Sequence, residues 1–551
     1  MKIVFAAINS SFSHSSLSYG FVRAFNEEFL EDWSWELVEN SLGEDHGRFL
    51  SRILNASPDV LVSTAYLFNI EYGLKVFGTF KTLMPKVPIY LGGPEFLGDN
   101  ESFLRRNPHI NAVIRGDETS FHKVLTQNNL NNISGLCYID EDRNYIDGKM
   151  TACYDGSLDD IPSPFLKGYF NKERAFCQIE TSRGCPGCCS FCTSAMSGGV
   201  KYFSIERARS DIQVIAETGC KEIRVIDRTF NDNKKRSLQL LEIFRDEFPQ
   251  IRFHLEINPA IIDSSFIDMI RTFPAKRLHL EAGIQTFIPE VLHAVKRPAS
   301  SRKSSVGLKR LIAQKNTEVH ADLIAGLPAQ SLQNVFDDLK TMILHAPSEI
   351  QLERLKILPG TKLRQDQEIF YNPEPPYEVL KTPSISNDEL LEAECLSKIT
   401  DSYYNFPPTQ IIFRLAAINI DSFLEKFVRF LKNSYDPFIK PSPSSRLEIL
   451  EKFFTSEKNG LFQEFTKFLW LLNGFPPEKY EIKTFRKAEW AGQSTVAFSE
   501  NKELKAERFF STDFSFDVLK MFSGEEIPPE KSVTLLFCTS KSKKIIEILK
   551  R

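Results

Sequence analysis

The chain has 551 residues, more than one hydrophobic core usually serves, so we expect about two to four domains. Hydrophobic residues make up 42% of it and charged residues 25%, as in ordinary globular proteins. The formal net charge of −4 gives no electrostatic argument for binding nucleic acid. No run approaches the ~18 apolar residues of a membrane span, and the N-terminus does not resemble a signal peptide. These features predict a cytoplasmic protein with no membrane or nucleic-acid partner.

The first 130 residues predict a cofactor-binding α/β domain. Short apolar segments alternate with helical patterns, which is typical of a doubly wound parallel sheet of the Rossmann type. The predicted strands cover residues 2–8, 35–38, 58–62, 87–91 and 112–114.

Polar or glycine-rich loops follow several of these strands, at residues 9–16, 92–95 and 115–118, and Ser63 and Thr64 follow another. Ligands of such sheets bind beyond the carboxyl ends of the strands, so these loops predict a cofactor cleft. No G-x-G-x-x-G follows the first strand, which disfavours a nicotinamide or flavin dinucleotide.

Residues 131–170 carry polar and turn-forming clusters and are predicted to be a linker. Residues 171–385 then show six strand–helix units, which predict a partial parallel (β/α)6 barrel of the TIM type. Residues 386–551 are predicted to form a mostly helical C-terminal domain, with one strand near residues 531–537. The predicted barrel strands cover residues 176–180, 222–227, 252–257, 277–284, 318–324 and 350–358.

The carboxyl ends of the barrel strands carry the residues expected to do chemistry. The second strand ends at Asp227, the fourth near Gln285 and the fifth at Gly326, while Glu256 and Asp322 lie within or near strand ends. A carboxylate in an otherwise apolar strand is costly unless it is paired. Each such residue therefore predicts either an ion pair inside the barrel or a ligand contact, and the sequence leaves both open.

Ten cysteines are unevenly distributed along the chain. In the reducing cytoplasm they indicate free thiols and metal ligands rather than disulfides. Four of them fall in one glycine-containing loop after the first barrel strand. The other six are scattered, and we expect each to be a buried, inert thiol: Cys137, Cys153, Cys177, Cys220, Cys395 and Cys538.

The cysteine loop predicts an inorganic centre with an open position. Cys185, Cys189 and Cys192 have the spacing C-x3-C-x2-C, and Cys188 is additional. Three thiolate ligands leave one position of a four-iron cluster free for chemistry. Structural zinc is disfavoured because no second, separate cysteine pair is present.

This loop, RGCP…CSFC, closely resembles the signature of radical S-adenosylmethionine (SAM) enzymes. The resemblance implies that Cys185, Cys189 and Cys192 hold a [4Fe-4S] cluster and that Cys188 has no family role. It further implies cleavage of SAM to a 5′-deoxyadenosyl radical, with electrons from an external donor of the flavodoxin or ferredoxin type. The candidates for contacts with SAM are Asp227, Glu256, Gln285 and Gly326.

The N-terminal segment, with its strand-end loops STAY, LGGPE and IRGDE, resembles the cobalamin-binding domain fused upstream of many radical SAM enzymes. The motif D-x-H-x-x-G is absent, so the resemblance implies cobalamin without that histidine as lower axial ligand. The first loop contains a histidine that either faces the cofactor or bonds neighbouring hydroxyls. The candidate cobalamin-binding residues are His14, Ser63, Thr64, Gly92, Gly93, Glu95, Arg115 and Gly116.

Together these resemblances, with PPYE after the last barrel strand, imply a cobalamin-binding radical SAM enzyme of a subgroup whose C-terminal domain has no assigned function. The expected reaction is methyl transfer to an unactivated carbon. Oxidative cyclisation or ring rearrangement is an alternative on the same fold, and a non-catalytic cobalamin or redox sensor is an alternative from another class. A methylthiotransferase is disfavoured because the first 136 residues contain no cysteine. The substrate is not encoded in any motif found.

Overall fold

The computed structural model divides the chain into two compact units. The first comprises Met1–Val335 and Glu353–Leu390, and the second comprises Phe336–Leu352 and Leu391–Arg551. The structure describes residues 1–116, 118–127, 129–149, 156–196, 198–486, 508–524, 528, 530–539 and 545–550.

The first sheet has seven strands, and its first five are parallel, as the sequence predicts. Its strands are β1 (Lys2–Asn9), β2 (Ser34–Ser41), β3 (Val60–Thr64), β4 (Ile89–Gly92), β5 (Ala112–Ile114), β6 (Leu136–Ile139) and β7 (Tyr145–Asp147), and its helices are α1 (Leu17–Asn26), α2 (His46–Asn55), α3 (Ile70–Leu83), α4 (Glu101–Arg106) and α5 (Phe121–Thr126). The strand order is β2-β1-β3-β4-β5-β6-β7. Central β1 is buried on both faces: Val4 and Ile8 join one apolar cluster, and Ile3 and Phe5 join the other. This double burial is why β1 has a continuous apolar sequence.

The segment predicted as a linker begins with an antiparallel hairpin. Strands β6 and β7 extend the first sheet beyond β5, as far as Asp147. The polar run at residues 140–144, which suggested a linker, is the hairpin turn, and Leu136 and Cys137 bury one side chain on each face. Cys153 lies outside the described residues.

The second sheet is the predicted partial barrel, with six strands in the order β15-β14-β13-β12-β11-β8. Its strands are β8 (Cys177–Ile179), β11 (Glu222–Val225), β12 (Arg252–Ile257), β13 (Leu278–Gln285), β14 (Glu318–Ala325) and β15 (Glu349–Arg354), and the helices that follow them are α6 (Ile205–Glu217), α7 (Lys234–Asp246), α8 (Ser264–Arg271), α9 (Pro289–Ala294), α10 (Ser301–Ile312) and α11 (Leu332–His345). Two hairpins accompany the barrel, formed by β9 (Ser182–Gly184) with β10 (Val200–Tyr202) and by β16 (Phe370–Tyr371) with β17 (Val379–Lys381).

The C-terminal part is helical and also contains a four-stranded antiparallel sheet. Its helices are α12 (Asn387–Ile399), α13 (Pro407–Asn419), α14 (Phe423–Ser434), α15 (Pro443–Ser456), α16 (Gly460–Leu472) and α17 (Val518–Gly524), and its strands are β18 (Phe485–Arg486), β19 (Arg508–Phe516), β20 (Glu530–Thr539) and β21 (Ile545–Lys550). Edge-to-face packing of Phe413, Phe427 and Phe453 forms much of the helical core. None of the described helices is both long and apolar enough to cross a membrane.

The barrel lumen is lined by titratable side chains because alternate residues of β12, β13 and β14 point away from the helices. Glu281 accepts a hydrogen bond from His254 Nε2 at 2.9 Å, and this contact lowers the pKa of Glu281. Asp322 has no such partner among the described residues: its Oδ1 lies 3.2 Å from His320 Nε2, without hydrogen-bond geometry. Burial, together with the nearby carboxylates Glu281 and Glu256, raises the pKa of Asp322 to about 8.

We therefore expect the lumen to make stability depend on pH. Because the folded pKa of Asp322 exceeds its ordinary value, the folded chain holds a proton that the unfolded chain releases, and the free energy of unfolding falls as pH rises towards about 8. Asp322→Asn is expected to flatten this slope and to raise the free energy of unfolding at pH 8 by about 1–3 kcal/mol. Urea denaturation at several pH values measures both quantities.

The matched control is Glu281→Gln. The pKa of Glu281 is lowered, so its charged form stabilises the fold above its ordinary pKa, and its loss should lower the free energy of unfolding at neutral pH. Equal slopes in Asp322→Asn and the unsubstituted protein would contradict the assignment of the proton to Asp322.

Candidate active site

Both parallel sheets open at their carboxyl ends onto one cavity of about 650 Å³ within the first unit. The ends of β1, β3, β4 and β5 form one side of it, and residues at or after the ends of β8, β11 and β12 form the other. Parallel sheets bind ligands at this edge, so a shared cavity can hold two reacting groups face to face. The residues that line it include Asn9, Ser10, His14, Ser63, Thr64, Gly92, Gly93 and Gly116 from the first sheet, and Gln178, Glu180, Arg183, Ile226, Arg228 and Glu256 from the barrel.

The cysteine loop lies between the paired strands β9 and β10, immediately after the first barrel strand. A Cβ atom added at Gly187 would lie 3.4 Å from Cys185 Sγ and 3.9 Å from Cys189 Sγ, so these two sulfurs face the same side of the loop. The Gly187 N–H also donates to Cys185 Sγ at 3.4 Å. Cys192 follows in the same turn, where its N–H donates to the Cys189 carbonyl. Two motif sulfurs beside a glycine, with the third motif cysteine in the adjoining turn, fit the donor set that a cluster requires.

The surroundings of the thiols distinguish Cys189 from its neighbour Cys188. Burial raises the pKa of the Cys189 thiol, while Arg297, whose Nη1 donates to Cys189 Sγ at 3.7 Å, acts in the opposite direction. A guanidinium beside a buried sulfur favours the thiolate that binds metal. Cys188 is exposed instead, and its thiol donates to the Lys296 carbonyl at 3.1 Å.

Among the described residues, no group of three or more His, Cys, Asp or Glu side chains is arranged to hold a single metal ion. A four-iron cluster places a different demand on its ligands, because each thiolate binds its own iron and the sulfurs stand farther apart. The donor set of the loop therefore fits a cluster better than a single ion.

Asp227 fixes the backbone at the start of the cysteine loop. Its carboxylate accepts hydrogen bonds from the N–H groups of Thr181 at 2.7 Å and Ser182 at 3.0 Å, and from the Thr181 hydroxyl at 2.5 Å. Burial nevertheless raises the pKa of this nearly inaccessible carboxyl. With its oxygens used in this way, Asp227 has a positioning role in the structure.

Glu256 lies at the carboxyl end of β12 and lines the cavity. Among the described residues its carboxylate has one long ion pair, 3.7 Å to Arg228 Nη1. Burial raises the pKa of Glu256 to about 7, with Arg228 opposing the shift. This carboxylate can therefore accept a hydrogen bond or a cation from a ligand.

Gln285 and Gly326 do not line the cavity. Gln285 has a positive φ of 70° at an irregularity of the β13–β14 ladder. The Gly326 N–H donates to Gln330 Oε1 at 2.8 Å, and a Cβ there would lie 2.7 Å from Val379. Gly326 thus serves a tight turn that packs against the segment after the barrel.

Six of the eight candidate cobalamin residues line the cavity: His14, Ser63, Thr64, Gly92, Gly93 and Gly116. Ser63 donates to the Ala6 carbonyl at 2.6 Å, and the hydroxyls of Thr64 and Ser18 are 2.9 Å apart. Gly93 has a φ of +109°, and a Cβ there would lie 2.5 Å from the Ala65 carbonyl oxygen, so only glycine fits. Hydroxyl groups and a main chain that a ligand can approach closely are suited to hydrogen bonding with a ligand rich in amide groups.

His14 bonds neighbouring hydroxyls and also lines the cavity. Its Nδ1 lies 2.9 Å from the Ser11 hydroxyl and 3.2 Å from the Ser10 hydroxyl, and its ring packs edge-on against Phe176. Burial, followed by the nearby Arg224, lowers the pKa of His14, so the ring is neutral at pH 7.

The other two candidates lie away from this cavity. Glu95 is buried and accepts a hydrogen bond from the Tyr377 hydroxyl at 2.7 Å. Arg115 donates to the carbonyls of Phe96 at 3.2 Å and Gly98 at 2.7 Å, and to Asp147 at 2.9 Å. Their polar atoms satisfy partners within the fold rather than the cavity.

A largely buried ionic cluster at the cavity wall was not predicted from the sequence. Arg183, two residues before Cys185, pairs with Glu180 at 2.8 Å and with Glu118 at 2.9 Å. Its guanidinium also packs over the ring of Phe21, 4.8 Å from the centroid. The position of Arg183 beside the cysteine motif was a signal, but its partner Glu118 is 65 residues away in sequence.

Two segments of the chain match different protein families. Residues 179–342 match the radical SAM superfamily, which confirms the resemblance of the cysteine motif. Residues 365–533 match DUF4080, a protein family of unknown function.

The chain is also similar to individual proteins. It is 23% identical over 335 residues to the cobalamin-dependent radical SAM methyltransferase TokK of Streptomyces tokunonensis, covering 57% of this chain and 49% of that protein. It spans about half the length of the first curated relatives that it matches.

Two solved structures share the fold. One is the cobalamin-dependent SAM radical enzyme OxsB with aqua-cobalamin and SAM bound, with a TM-score of 0.57, 14% identity and coverage of 87% of this chain and 74% of that one. The other is the radical SAM methyltransferase TsrM of Kitasatospora setae with cobalamin and a [4Fe-4S] cluster bound, with a TM-score of 0.54, 15% identity and coverage of 69% and 79%. The chain therefore contains a radical SAM domain, within a fold shared with cobalamin-dependent radical SAM enzymes, and a DUF4080 region of unknown function.

Proposed function

We propose that this protein is a cobalamin-dependent radical SAM enzyme that transfers a methyl group to an unactivated carbon. The observation that carries the proposal is the shared cavity: the carboxyl ends of both parallel sheets line it, and the C-x3-C-x2-C loop adjoins it. We assign cobalamin binding to the first sheet and radical generation to the barrel. The two cofactors would then meet across one space.

When bound, the [4Fe-4S] cluster with SAM supplies a 5′-deoxyadenosyl radical, and cobalamin supplies a methyl carrier. Cys185, Cys189 and Cys192 would hold the cluster, with Arg297 donating to one of the sulfurs. Glu256 would bind the amino group or ribose of SAM, because its carboxylate faces the cavity with one distant partner.

The polar residues of the first sheet would orient cobalamin through its amide side chains. Ser63, Thr64 and His14 line the cavity with polar atoms, and Gly92, Gly93 and Gly116 let the backbone approach closely. His14 would contact the periphery of the cofactor as a neutral ring, since its Nδ1 already meets two serine hydroxyls.

The names of similar proteins support methyl transfer over the alternatives. TokK is described as a cobalamin-dependent radical SAM methyltransferase, and TsrM as a radical SAM methyltransferase. An external one-electron donor of the flavodoxin or ferredoxin type would reduce the cluster.

The test of the reaction type is incubation of reduced, cofactor-loaded protein with SAM and cell extract as the substrate source. Formation of both 5′-deoxyadenosine and S-adenosylhomocysteine is the expected result, and chromatography measures both. Formation of 5′-deoxyadenosine alone would support cyclisation or rearrangement instead of methyl transfer. If neither product forms, the result would favour a sensor.

Cluster ligation predicts a difference between neighbouring cysteines. Cys185→Ala, Cys189→Ala or Cys192→Ala should reduce the iron content after anaerobic reconstitution from about four per chain to near zero. Cys188→Ala is the matched control and should retain the iron, because its thiol bonds the Lys296 carbonyl. Loss of iron from the Cys188 variant, with retention in the Cys189 variant, would reverse the ligand assignment.

Cobalamin binding can be tested by filling the cavity from its wall. A Cβ at Gly92 meets nothing closer than the Ile114 carbonyl at 3.8 Å, so a side chain is tolerated there but occupies ligand space. Gly92→Leu should weaken hydroxocobalamin binding roughly tenfold or more, measured by absorbance titration. Gly78→Leu, on α3 outside the cavity, is the control. If Gly92→Leu and Gly78→Leu bind hydroxocobalamin with equal affinity, cobalamin does not bind at this site.

A further inference from the structure

One segment of the barrel is strongly positive, although the chain as a whole is slightly negative. Residues 291–317 contain seven Lys or Arg side chains and no Asp or Glu, whereas the formal net charge of the chain is −4. The last four of the five exposed cations below lie on one face of α10, around Val306, which is 42% exposed. We call these five exposed side chains the basic face: Lys296, Arg302, Lys303, Lys309 and Arg310.

The cations of the basic face have no ion pair among the described residues. The three preceding barrel helices differ in this respect, because each pairs an exposed cation with a carboxylate. These pairs are Arg209 with Glu247 on α6, Lys234 with Asp263 on α7, and Arg271 with Asp268 on α8. Neighbouring cations without counter-charges create a positive potential, which attracts an anionic partner and speeds its association.

Two of these cations lie where the helix itself disfavours them. Arg302 and Lys303 are in the first turn of α10, which begins after the N-cap Ser300 and contains no acidic residue. The helix dipole is positive at this end, so cations there are unfavourable, whereas Lys309 and Arg310 in the last turn are favourable. The helix therefore accounts for the last-turn pair, and a binding role is needed to account for Arg302 and Lys303.

The cysteine loop reaches the surface beside the basic face. Cys188 and Lys296 are both exposed, and the Cys188 thiol donates to the Lys296 carbonyl at 3.1 Å. The next residue, Arg297, donates through Nη1 to Cys189 Sγ at 3.7 Å. Arg302 follows Arg297 by five positions, a segment that spans at most about 18 Å when fully extended. The basic face thus begins next to a proposed cluster ligand.

We propose that the basic face is the docking surface for a small, acidic one-electron carrier protein of the flavodoxin or ferredoxin type. This inference rests on the proposed function, because a redox cluster is what gives such a carrier a role. After docking, the reduced carrier would transfer one electron to the cluster and would itself be oxidised by one electron. A nucleic acid would match the positive charge, but it would gain nothing from the adjoining cysteine loop.

Direct binding is the first test, because it requires neither SAM nor substrate. Biolayer interferometry on the cluster-loaded full chain uses a bacterial flavodoxin, a ferredoxin and a single-stranded oligonucleotide as probes. At low ionic strength at least one carrier should bind, and added salt should weaken that binding because it screens exposed charges. If neither carrier binds, or if the oligonucleotide is the one probe that binds, the proposal is wrong.

Arg302→Glu/Lys303→Glu is the variant that tests the surface, and Lys75→Glu/Lys86→Glu is the control with the same change in net charge. The two control lysines are exposed and lie on or just after α3 of the first sheet. The first variant should bind the carrier roughly tenfold or more weakly, and the control should bind as the unsubstituted protein does. Equal affinity in the two variants would contradict docking at the basic face.

Thermal unfolding shows that weaker binding does not reflect loss of the fold. Because carboxylates are favoured in the first turn of a helix, Arg302→Glu/Lys303→Glu should melt at an equal or higher temperature than the unsubstituted protein. A lower melting temperature together with unchanged carrier affinity would assign Arg302 and Lys303 a structural role instead.

Reduction of the cluster, followed by absorbance under anaerobic conditions, is the second readout. The reduced carrier should reduce Arg302→Glu/Lys303→Glu roughly tenfold more slowly at low carrier concentration, whereas photoreduced 5-deazariboflavin, a small uncharged reductant, should reduce both proteins equally. Slower reduction by both reagents would indicate an altered cluster and contradict the docking role. A cluster that neither reagent reduces would refute the proposed radical chemistry, and interferometry would still decide whether the carrier docks.

Discussion

One largely buried guanidinium, that of Arg183, connects the two parallel sheets of the first unit. Glu180, its partner at 2.8 Å, follows the first barrel strand, and Glu118, its partner at 2.9 Å, follows β5 of the first sheet. The Arg183 side chain is 18% exposed, and breaking such a largely buried pair is costly because removal of either side leaves an uncompensated charge. Since Arg183 belongs to strand β9 beside the cysteines, the pair holds the cysteine loop to the carboxyl edge of the first sheet.

The same cost of burying charge sorts the polar residues of the first unit into two groups. Asp227, Arg115 and Glu95 have their polar atoms engaged by nearby backbone or side chains, so they position segments of the chain. Glu256 keeps one ion pair at 3.7 Å among the described residues and faces the cavity. A weakly paired carboxylate in a low-dielectric cavity wall is stabilised when a ligand binds to it.

Much of this arrangement could be predicted from sequence, because the strand pattern and the parallel connections place every strand end at one edge. That rule located the cysteine loop, Thr64, Gly92 and Glu256 correctly at an edge. The rule could not show which strand-end polar groups bind other parts of the chain. The partner of Glu95, for example, is Tyr377, which lies 282 residues later. The hairpin of β6 and β7 was mistaken for a linker because its turn is polar and its strands are only three or four residues long.

A single criterion then separates positioning groups from candidate ligand groups in the first unit. The polar groups that the fold satisfies position segments of the chain, whereas Glu256 has one long ion pair among the described residues and faces the cavity. A carboxylate in such a wall suits a cationic or hydroxylated ligand.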